Sequence, residues 1–265
     1  RRKANDEFET WSECVDRVVR GNFSITGETG SNLNRTLELA KQGVMPFSGR
    51  HLQHGDLDQK HRIGECYTNC STAMFSFLNF WLLLKGSGVG RCYDSDICRV
   101  NWDYMPNIRL VLDGPNNKGE GGHPDYEDWI EKVAEAKHKY DSESDDVRWF
   151  VVEDSAEGWV KVIEILETAA FQKVHANKLF IFDFSQVRPN GSPIRGQQGR
   201  PASGPIPFIK AMQKIASVRG SGMKPWKQSL FIDHFLAACV AVGGIRRSAR
   251  IATKTWRDRD VFEFI

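Results

Sequence analysis

The cysteines are the most reactive side chains in this sequence. Cys66 and Cys70 lie in "ECYTNCS", and His61 and Glu65 are close to Cys70 in the sequence, so one interpretation is a nucleophilic cysteine–histidine pair. Adding Cys92 and Cys98 from "CYDSDIC" would give four thiolates for zinc. The first pair has zinc-like spacing, but five residues separate the second pair, which does not fit, so no metal site is predicted. Taken singly, each cysteine is either a redox-active thiol, whose partner lies far away in the sequence, or a buried and inert thiol.

A second candidate is the basic turn in "AVGGIRRSAR". Gly243 and Gly244 free the backbone, and Arg246, Arg247 and Ser248 follow. Adjacent guanidinium groups beside free backbone N–H groups suit the binding of an anion or a nucleotide. The alternative is a solvated basic turn.

A third candidate is "NGSPIRGQQGRPASGPIPF", residues 190–208. It holds four glycines, four prolines and two arginines in nineteen positions. Such a composition fits either a slack linker or a loop whose backbone is shaped to approach a ligand. Because a predicted buried strand precedes this stretch and a predicted helix follows it, we expect a shaped loop that approaches a ligand.

Helices and strands alternate along the chain and must position these residues. The chain up to about Gly43 is predicted to be helical, since Leu33, Leu37 and Ala40 recur at helical spacing. After a turn in "MPFSGRH", the pattern predicts an enclosed helix over 71–84 and a helix-to-strand turn in "KGSGVGR". A surface helix in "YEDWIEKVAEAKHKY" is followed by a strand in "VRWFVVED", a helix in "SAEGWVKVIEILETAAF" and a buried strand over 178–184. The last predicted elements are helices over 205–217 and 224–242 and a closing strand in "GGIRRSARIATKTW". This alternation predicts an α/β fold with a mostly parallel sheet.

The glycines of "GSGVG" lack the spacing and the strand–helix context of a dinucleotide fingerprint.

Composition narrows the class of protein. The chain has 265 residues and a net charge of +2, which does not call for nucleic acid or an anionic membrane as partner. The N-terminus has no apolar segment typical of a signal peptide, and the run over 73–84 is too short to cross a bilayer. Six cysteines in a chain of this length favour a reducing cytoplasm.

Four stretches, in this order, resemble the large subunits of ribonucleotide reductases, and most closely the adenosylcobalamin-dependent (class II) branch. They are "NCSTAMFSFLNFWLLLKGSGVGR", "VEDSAEGW", "FDFSQVRPNGSPIRGQQGRPASGPIPF" and "VGGIRRSARIATKTWRDRDVFEFI". The resemblance runs from about residue 45 to residue 265, and it implies half of a ten-stranded α/β barrel there, a five-stranded mostly parallel sheet with helices. The helical segment 1–44 predicted above precedes this match. An insertion at about 91–177 is typical of the monomeric enzymes of this branch.

The resemblance also implies roles for particular residues. Cys70 matches the first of two cysteines that form a disulfide as a ribonucleotide is reduced to a deoxyribonucleotide. The matched substrate-binding positions are Ser48, Asn69, Gly243 and Gly244. The matched positions for a deoxynucleotide effector are Arg195, Gly196, Arg246, Arg247 and Ser248. The first two lie in the stretch 191–205, which matches the segment that carries the family's first specificity loop, and the other three lie in 243–249, which matches the second loop.

One departure from the family limits what this chain does alone. The radical-bearing cysteine of the family lies in an N-P-C-x-E motif that is absent here, and Cys239 in the apolar "AACVAV" is no substitute. We therefore expect the N-terminal half of a reductase, which needs a C-terminal half, adenosylcobalamin and a thioredoxin-type reductant for turnover. The strands at such a cut would present an open edge that is prone to self-pairing.

Two alternatives stay open at this point. The chain could belong to a class I-type reductase, which takes its radical from a metal-containing partner subunit. It could instead be a non-catalytic module that binds deoxynucleotides through Arg246, Arg247 and the stretch 190–208.

Overall fold

The chain forms two compact units, Arg1–Asn69 and Cys70–Ile265. The computed structural model describes residues 3, 7–61, 70–115, 121–141, 143–194, 200–240 and 248–265. Within these ranges, no helix is both long and apolar enough to cross a membrane. The domain boundary expected at residue 44 rests on the family resemblance and stays a prediction.

The first unit is helical. Its helices are α1 (Trp11–Thr26), α2 (Ser31–Lys41) and α3 (Gly49–His54). Thr10 and Glu13 form a reciprocal capping box that begins α1, and Gly27 ends the helix with a φ of 72°. The core between α1 and α2 consists of Val15, Val19, Leu37 and Ala40.

The prediction of helix up to Gly43 is confirmed, with a break at Gly27–Gly30 that divides it into two helices. The prediction of a turn in "MPFSGRH" is wrong in part, because α3 begins there. Ser48 caps this helix by accepting a hydrogen bond from the backbone N–H of His51 at 3.4 Å. A serine cap compensates for the glycine that opens the helix.

The second unit alternates strands and helices. In chain order they are β1 (Cys70–Thr72), α4 (Ser76–Leu84), β2 (Gly88–Cys92), β3 (Asn107–Val111), α5 (Val133–Lys139), β4 (Val147–Val151), α6 (Ala156–Gln172), β5 (Leu179–Asp183), β6 (Pro193–Ile194), β7 (Arg200–Pro201), α7 (Ile206–Ala216), α8 (Pro225–Val240), β8 (Ala249–Thr253) and α9 (Val261–Phe264). One-turn 3-10 helices lie at Gln59–His61 in the first unit and Trp102–Tyr104 in the second.

The described strands form two parallel sheets and one antiparallel pair. The first sheet has the order β1–β2–β8, and the second has the order β3–β5–β4. The strands β6 and β7 pair with each other in antiparallel fashion. The prediction of an α/β fold with parallel sheets is therefore confirmed at this level.

The core of the second unit explains why β5 is central in its sheet. Its residues Phe180, Ile181 and Phe182 are all buried, as expected for a strand covered on both faces. The ring of Phe208 on α7 contacts several aromatic side chains at centroid distances of 4.7–5.6 Å: Phe80, Trp159 and Phe184. These contacts join α4, α6 and α7 to the end of β5.

Two predicted helices need correction. The helix expected over 71–84 begins only at Ser76, because Cys70–Thr72 pairs with β2 as a strand. It is not enclosed on all sides either, since Leu78 is 39% exposed. The helix expected in "YEDWIEKVAEAKHKY" is confined to Val133–Lys139, after Glu131 forms a parallel bridge with Val111. In both places a strand contact takes precedence over helical spacing.

Candidate functional site

The described part of the stretch 190–208 is a hydrogen-bonded hairpin, not a slack linker. Gly191 N–H donates to the carbonyl of Ala202 at 2.9 Å, and Ala202 N–H donates to the carbonyl of Ser192 at 2.7 Å. The strands β6 and β7 continue this pairing toward residues 195–199, which lie outside the described residues together with Arg195 and Gly196. The base of the predicted first specificity loop is thus fixed.

A cavity of about 200 Å³ lies against this hairpin. It lies where β4 and β5 end, and ligands of open α/β sheets bind at the carboxyl ends of parallel strands. The residues that line it are Leu84, Asp154, Ser155, Ala156, Trp159, Val187, Arg188, Ile194, Pro201, Ala202, Ser203, Gly204, Cys239 and Val240. Ile194 and Pro201 flank the undescribed part of the hairpin, and Val240 directly precedes the undescribed residues 241–247.

An ion pair forms one wall of the cavity. The Nε of Arg188 donates to both carboxylate oxygens of Asp154, at 2.9 and 2.8 Å, and the backbone N–H of Arg188 donates to the same carboxylate at 3.1 Å. The Nη1 of Arg188 donates to the carbonyl of Pro193 at 3.2 Å, which ties the pair to the hairpin. Both side chains remain about one-third exposed, so they stay available to a ligand.

The start of α6 forms a second wall. Ser155 caps the helix by accepting from the backbone N–H of Gly158 at 2.9 Å. Gly158 is required here because a Cβ would approach the carbonyl oxygen of Glu153 to 2.6 Å. The N-terminal end of a helix carries partial positive charge and favours anions. Trp159, one turn further, is stacked on Phe208 at 4.7 Å and presents a fixed aromatic surface.

The end of α8 closes the cavity with an inert thiol. Cys239 is 4% exposed and donates to the carbonyl of Leu236, and burial raises its pKa well above the usual range. It would therefore remain protonated at neutral pH.

The predicted second specificity loop, residues 243–249, is described only at its last two residues, Ser248 and Ala249. Ser248 donates through its hydroxyl to the carbonyl of Ala237 on α8 at 2.6 Å, which ties the start of β8 to the end of α8. The predicted site residues that lie outside the described part of the chain are Asn69, Gly243, Gly244, Arg246 and Arg247.

The predicted redox cysteine lies at an exposed strand end. Cys70 begins β1, where it pairs with Gly88 of β2, and its thiol is exposed. Next to it, the hydroxyl of Ser71 is hydrogen bonded to that of Ser87 at 2.8 Å, which fixes the strand against its neighbour. Ser48, predicted to bind substrate, lies in the other unit as the exposed cap of α3.

Sequence reasoning did not assign a role to the residues that the cavity brings together. Asp154, Ser155 and Trp159 stand in "VEDSAEGW", and Arg188 stands in "FDFSQVRP". Both stretches were visible as motifs, but only the neighbouring positions of β4 and β5 join them.

Comparisons with known proteins agree on one family. Residues 120–219 match the family model "B12-dependent ribonucleotide reductase, insertion domain". The chain is 30% identical, over 99% of its length, to a putative adenosylcobalamin-dependent ribonucleoside-triphosphate reductase of Mycobacterium phage D29. It is 27% identical, over 95% of its length, to the adenosylcobalamin-dependent ribonucleoside-triphosphate reductase of Lactobacillus leichmannii.

The fold agrees as well. A crystal structure of a B12-dependent (class II) ribonucleotide reductase superposes with a TM-score of 0.65 at 22% identity, covering 98% of this chain and 41% of that one. The chain spans 39% of the length of each of the two relatives above. The resemblance to class II ribonucleotide reductases is therefore confirmed, and it extends over about two fifths of such an enzyme.

Proposed function

We propose that this chain is the N-terminal part of an adenosylcobalamin-dependent ribonucleoside-triphosphate reductase. The observation that carries the proposal is the similarity of nearly the whole chain to relatives that bear this name. The class I alternative receives no comparable support, since the matched family model is that of a B12-dependent enzyme. In this proposal the chain contributes a redox cysteine and an effector site, and the radical cysteine belongs to the remainder of the enzyme.

The effector site is proposed for the cavity beside β6 and β7. The aromatic face of Trp159 suits stacking of a nucleotide base, and the carboxylate of Asp154 suits acceptance of a hydrogen bond from a sugar hydroxyl. The positive end of α6 and Arg188 suit a phosphate group. At about 200 Å³ the described cavity holds a base-sized group, and Arg195, Gly196, Arg246, Arg247 and Ser248 are proposed to supply the remaining contacts.

The reducing role is proposed for Cys70, with a second cysteine supplied by the rest of the enzyme. Two S–H bonds are exchanged for one S–S bond, and the two electrons and two protons released replace a ribose hydroxyl by hydrogen and form water. An external dithiol of the thioredoxin type then reduces the disulfide. The exposed position of Cys70 at the start of β1 supports this role, since both exchanges need access to the sulfur. Ser48, Asn69, Gly243 and Gly244 are proposed to contact the substrate.

The candidate effector cavity does not fit adenosylcobalamin. The cavity beside the hairpin is smaller than the roughly 300 Å³ at which pockets for drug-sized molecules begin, and a corrin is larger still. The cofactor is therefore proposed to bind to the rest of the enzyme.

The two sheets are proposed to be parts of half a ten-stranded barrel. In the described chain β1 and β8 are both edge strands of the first sheet. Ile251 on β8 is 67% exposed, as would suit a surface that another part of the enzyme covers.

Calorimetric titration of the chain with each of the four deoxynucleoside triphosphates tests the effector site. We expect at least one to bind with a micromolar dissociation constant, and Asp154→Ala to weaken that binding. Absence of binding by all four up to millimolar concentration would refute the effector site. Binding together with a lack of turnover in a mixture that contains the rest of the enzyme would favour the non-catalytic module.

A further inference from the structure

A buried cluster of charged side chains joins α8 to the first sheet. The Oδ2 of Asp233, a fully buried residue on α8, accepts from Arg91 Nη1 at 2.8 Å and from the hydroxyl of Tyr93 at 2.6 Å. Arg250 on β8 approaches the same oxygen with its Nη2 at 3.5 Å and donates to the hydroxyl of Tyr93. Asp233 therefore holds side chains from two neighbouring strands.

The cluster reaches the start of α4, the helix that follows the strand carrying Cys70. The Nη1 of Arg91 also donates to the hydroxyl of Ser76 at 2.9 Å, and Ser76 begins α4 just after β1. The backbone N–H groups of Ser76 and Phe77 donate to the carboxylate of Glu167 at 3.0 and 3.1 Å. The cluster thus fixes the start of α4 between two buried acidic side chains.

The same two acidic residues belong to the helices that form the candidate effector cavity. Asp233 lies on α8, whose last residues Cys239 and Val240 line the cavity. Glu167 lies on α6, whose first turn lines its other side. Both helices are packed in the core, so each moves as a rigid unit. A ligand that displaces α8 therefore moves Asp233, and a ligand that displaces α6 moves Glu167.

The cluster also has unused hydrogen-bonding capacity. Among the described residues, Asp233 Oδ1, Arg91 Nε and Arg250 Nε make no hydrogen bond although all three atoms are buried. Arginine and carboxylate groups pair most strongly through two parallel hydrogen bonds. A small rotation of Asp233 could therefore exchange the present arrangement for a bidentate pair with one of the two arginines. Two discrete arrangements are what a coupling element requires.

We propose that Asp233 is a positioning residue that couples occupancy of the effector cavity to the placement of Cys70. The proposal rests on the proposed function, because it takes a deoxynucleotide as the ligand and Cys70 as the responding group. Asp233 contacts neither the cavity nor the thiol; it acts through α8, Arg91 and Arg250. The reactivity of Cys70 is therefore expected to depend on the effector, and this dependence is expected to require the cluster.

The test measures the rate at which N-ethylmaleimide alkylates Cys70 in the 265-residue chain, with and without each deoxynucleoside triphosphate. A Cys66→Ser background lets peptide mass spectrometry follow Cys70 without ambiguity. With the deoxynucleotide that binds, we expect the rate to change by about fivefold or more, the lower range of typical allosteric coupling. In Arg250→Lys and Asp233→Asn we expect this ratio to approach one, while calorimetry still shows binding of that deoxynucleotide.

The matched control is Arg219→Lys. Arg219 is a hydrogen-bonded arginine beside the other sheet, where it contacts Asn107 and donates to the carbonyl of Ala176, so its variant should keep the full ratio. If circular dichroism shows that Asp233→Asn does not fold, the effector dependence of Cys70 alkylation is measured in Arg250→Lys and Tyr93→Phe instead.

The outcomes separate the two proposals. Binding of a deoxynucleotide with no change in Cys70 reactivity, or with the same change in the cluster variants, overturns the role of Asp233 and leaves the effector site standing. No binding by any deoxynucleotide overturns the effector site, and the role of Asp233 with it.

Discussion

Asp154 and Arg188 meet at the ends of two neighbouring parallel strands, with the Nε of Arg188 within 2.9 Å of both carboxylate oxygens. Thirty-four positions separate them in the sequence. Their pairing joins the start of α6 to the hairpin of β6 and β7, so the cavity wall depends on both residues. Removal of either charge would alter the electrostatics of the cavity and the position of the hairpin.

Asp154→Asn is expected to weaken deoxynucleotide binding about tenfold, which is about 1.4 kcal/mol. The amide keeps the size of the side chain but replaces one acceptor by a donor, which opposes Arg188. Calorimetry measures the dissociation constant of this variant and of a control, Asp146→Asn, which lies at the opposite end of β4. Equal affinities for Asp154→Asn and the parent chain would exclude Asp154 from the site.

Gly204→Ala is expected to destabilise the chain by about 2–3 kcal/mol, from backbone strain and displacement of a neighbour. Gly204 has a φ of 68°, and a Cβ there would collide with the carboxylate of Asp125, which accepts from the N–H of Asn190 at 2.6 Å. Gly191→Ala is the control, since its φ is 85° but no atom lies within 4 Å of its Cβ position. Urea unfolding should show a larger decrease in the free energy of unfolding for Gly204→Ala than for Gly191→Ala. Equal decreases would mean that the collision with Asp125 does not destabilise the fold.

Glu167 is expected to make stability fall as pH rises from about 4.5 to about 7. Burial raises the pKa of this carboxyl to about 7, outweighing the hydrogen bonds that it accepts from the backbone of Ser76 and Phe77. Between these pH values the folded chain keeps a proton that the unfolded chain releases, so the free energy of unfolding decreases by about 3 kcal/mol across the window.

The measurement is the free energy of unfolding at several pH values for the parent chain and for Glu167→Gln. Glutamine cannot ionise, so the difference between the two curves should decline through the window and level off above it. A constant difference would show that Glu167 has the same protonation in both states.

The sequence predicts the elements whose signals are local. The apolar run over 178–184 gives β5, and the helices α6, α7 and α8 begin and end within about two residues of their predicted bounds. The strand Cys70–Thr72 was missed because it has only three residues and exists through pairing with β2.

The candidate site was harder to predict for the same physical reason. Asp154 and Arg188 carry no local signal of a shared role, and they meet only because β4 and β5 are neighbours. Likewise Asp233, Arg91 and Arg250 come from three separate elements, so the order β1–β2–β8 had to be known before the cluster could be recognised. Glycine and proline content did indicate a shaped loop in 190–208, since these residues act on the backbone directly.

The most direct test of the account is turnover in a reconstituted reductase. The chain is mixed with the C-terminal part of a class II enzyme that carries the N-P-C-x-E motif, adenosylcobalamin, a dithiol and a ribonucleoside triphosphate, and deoxynucleotide formation is measured. We predict product with the parent chain and with Cys92→Ser, and none above background with Cys70→Ser. Full activity of the Cys70→Ser variant would contradict the account.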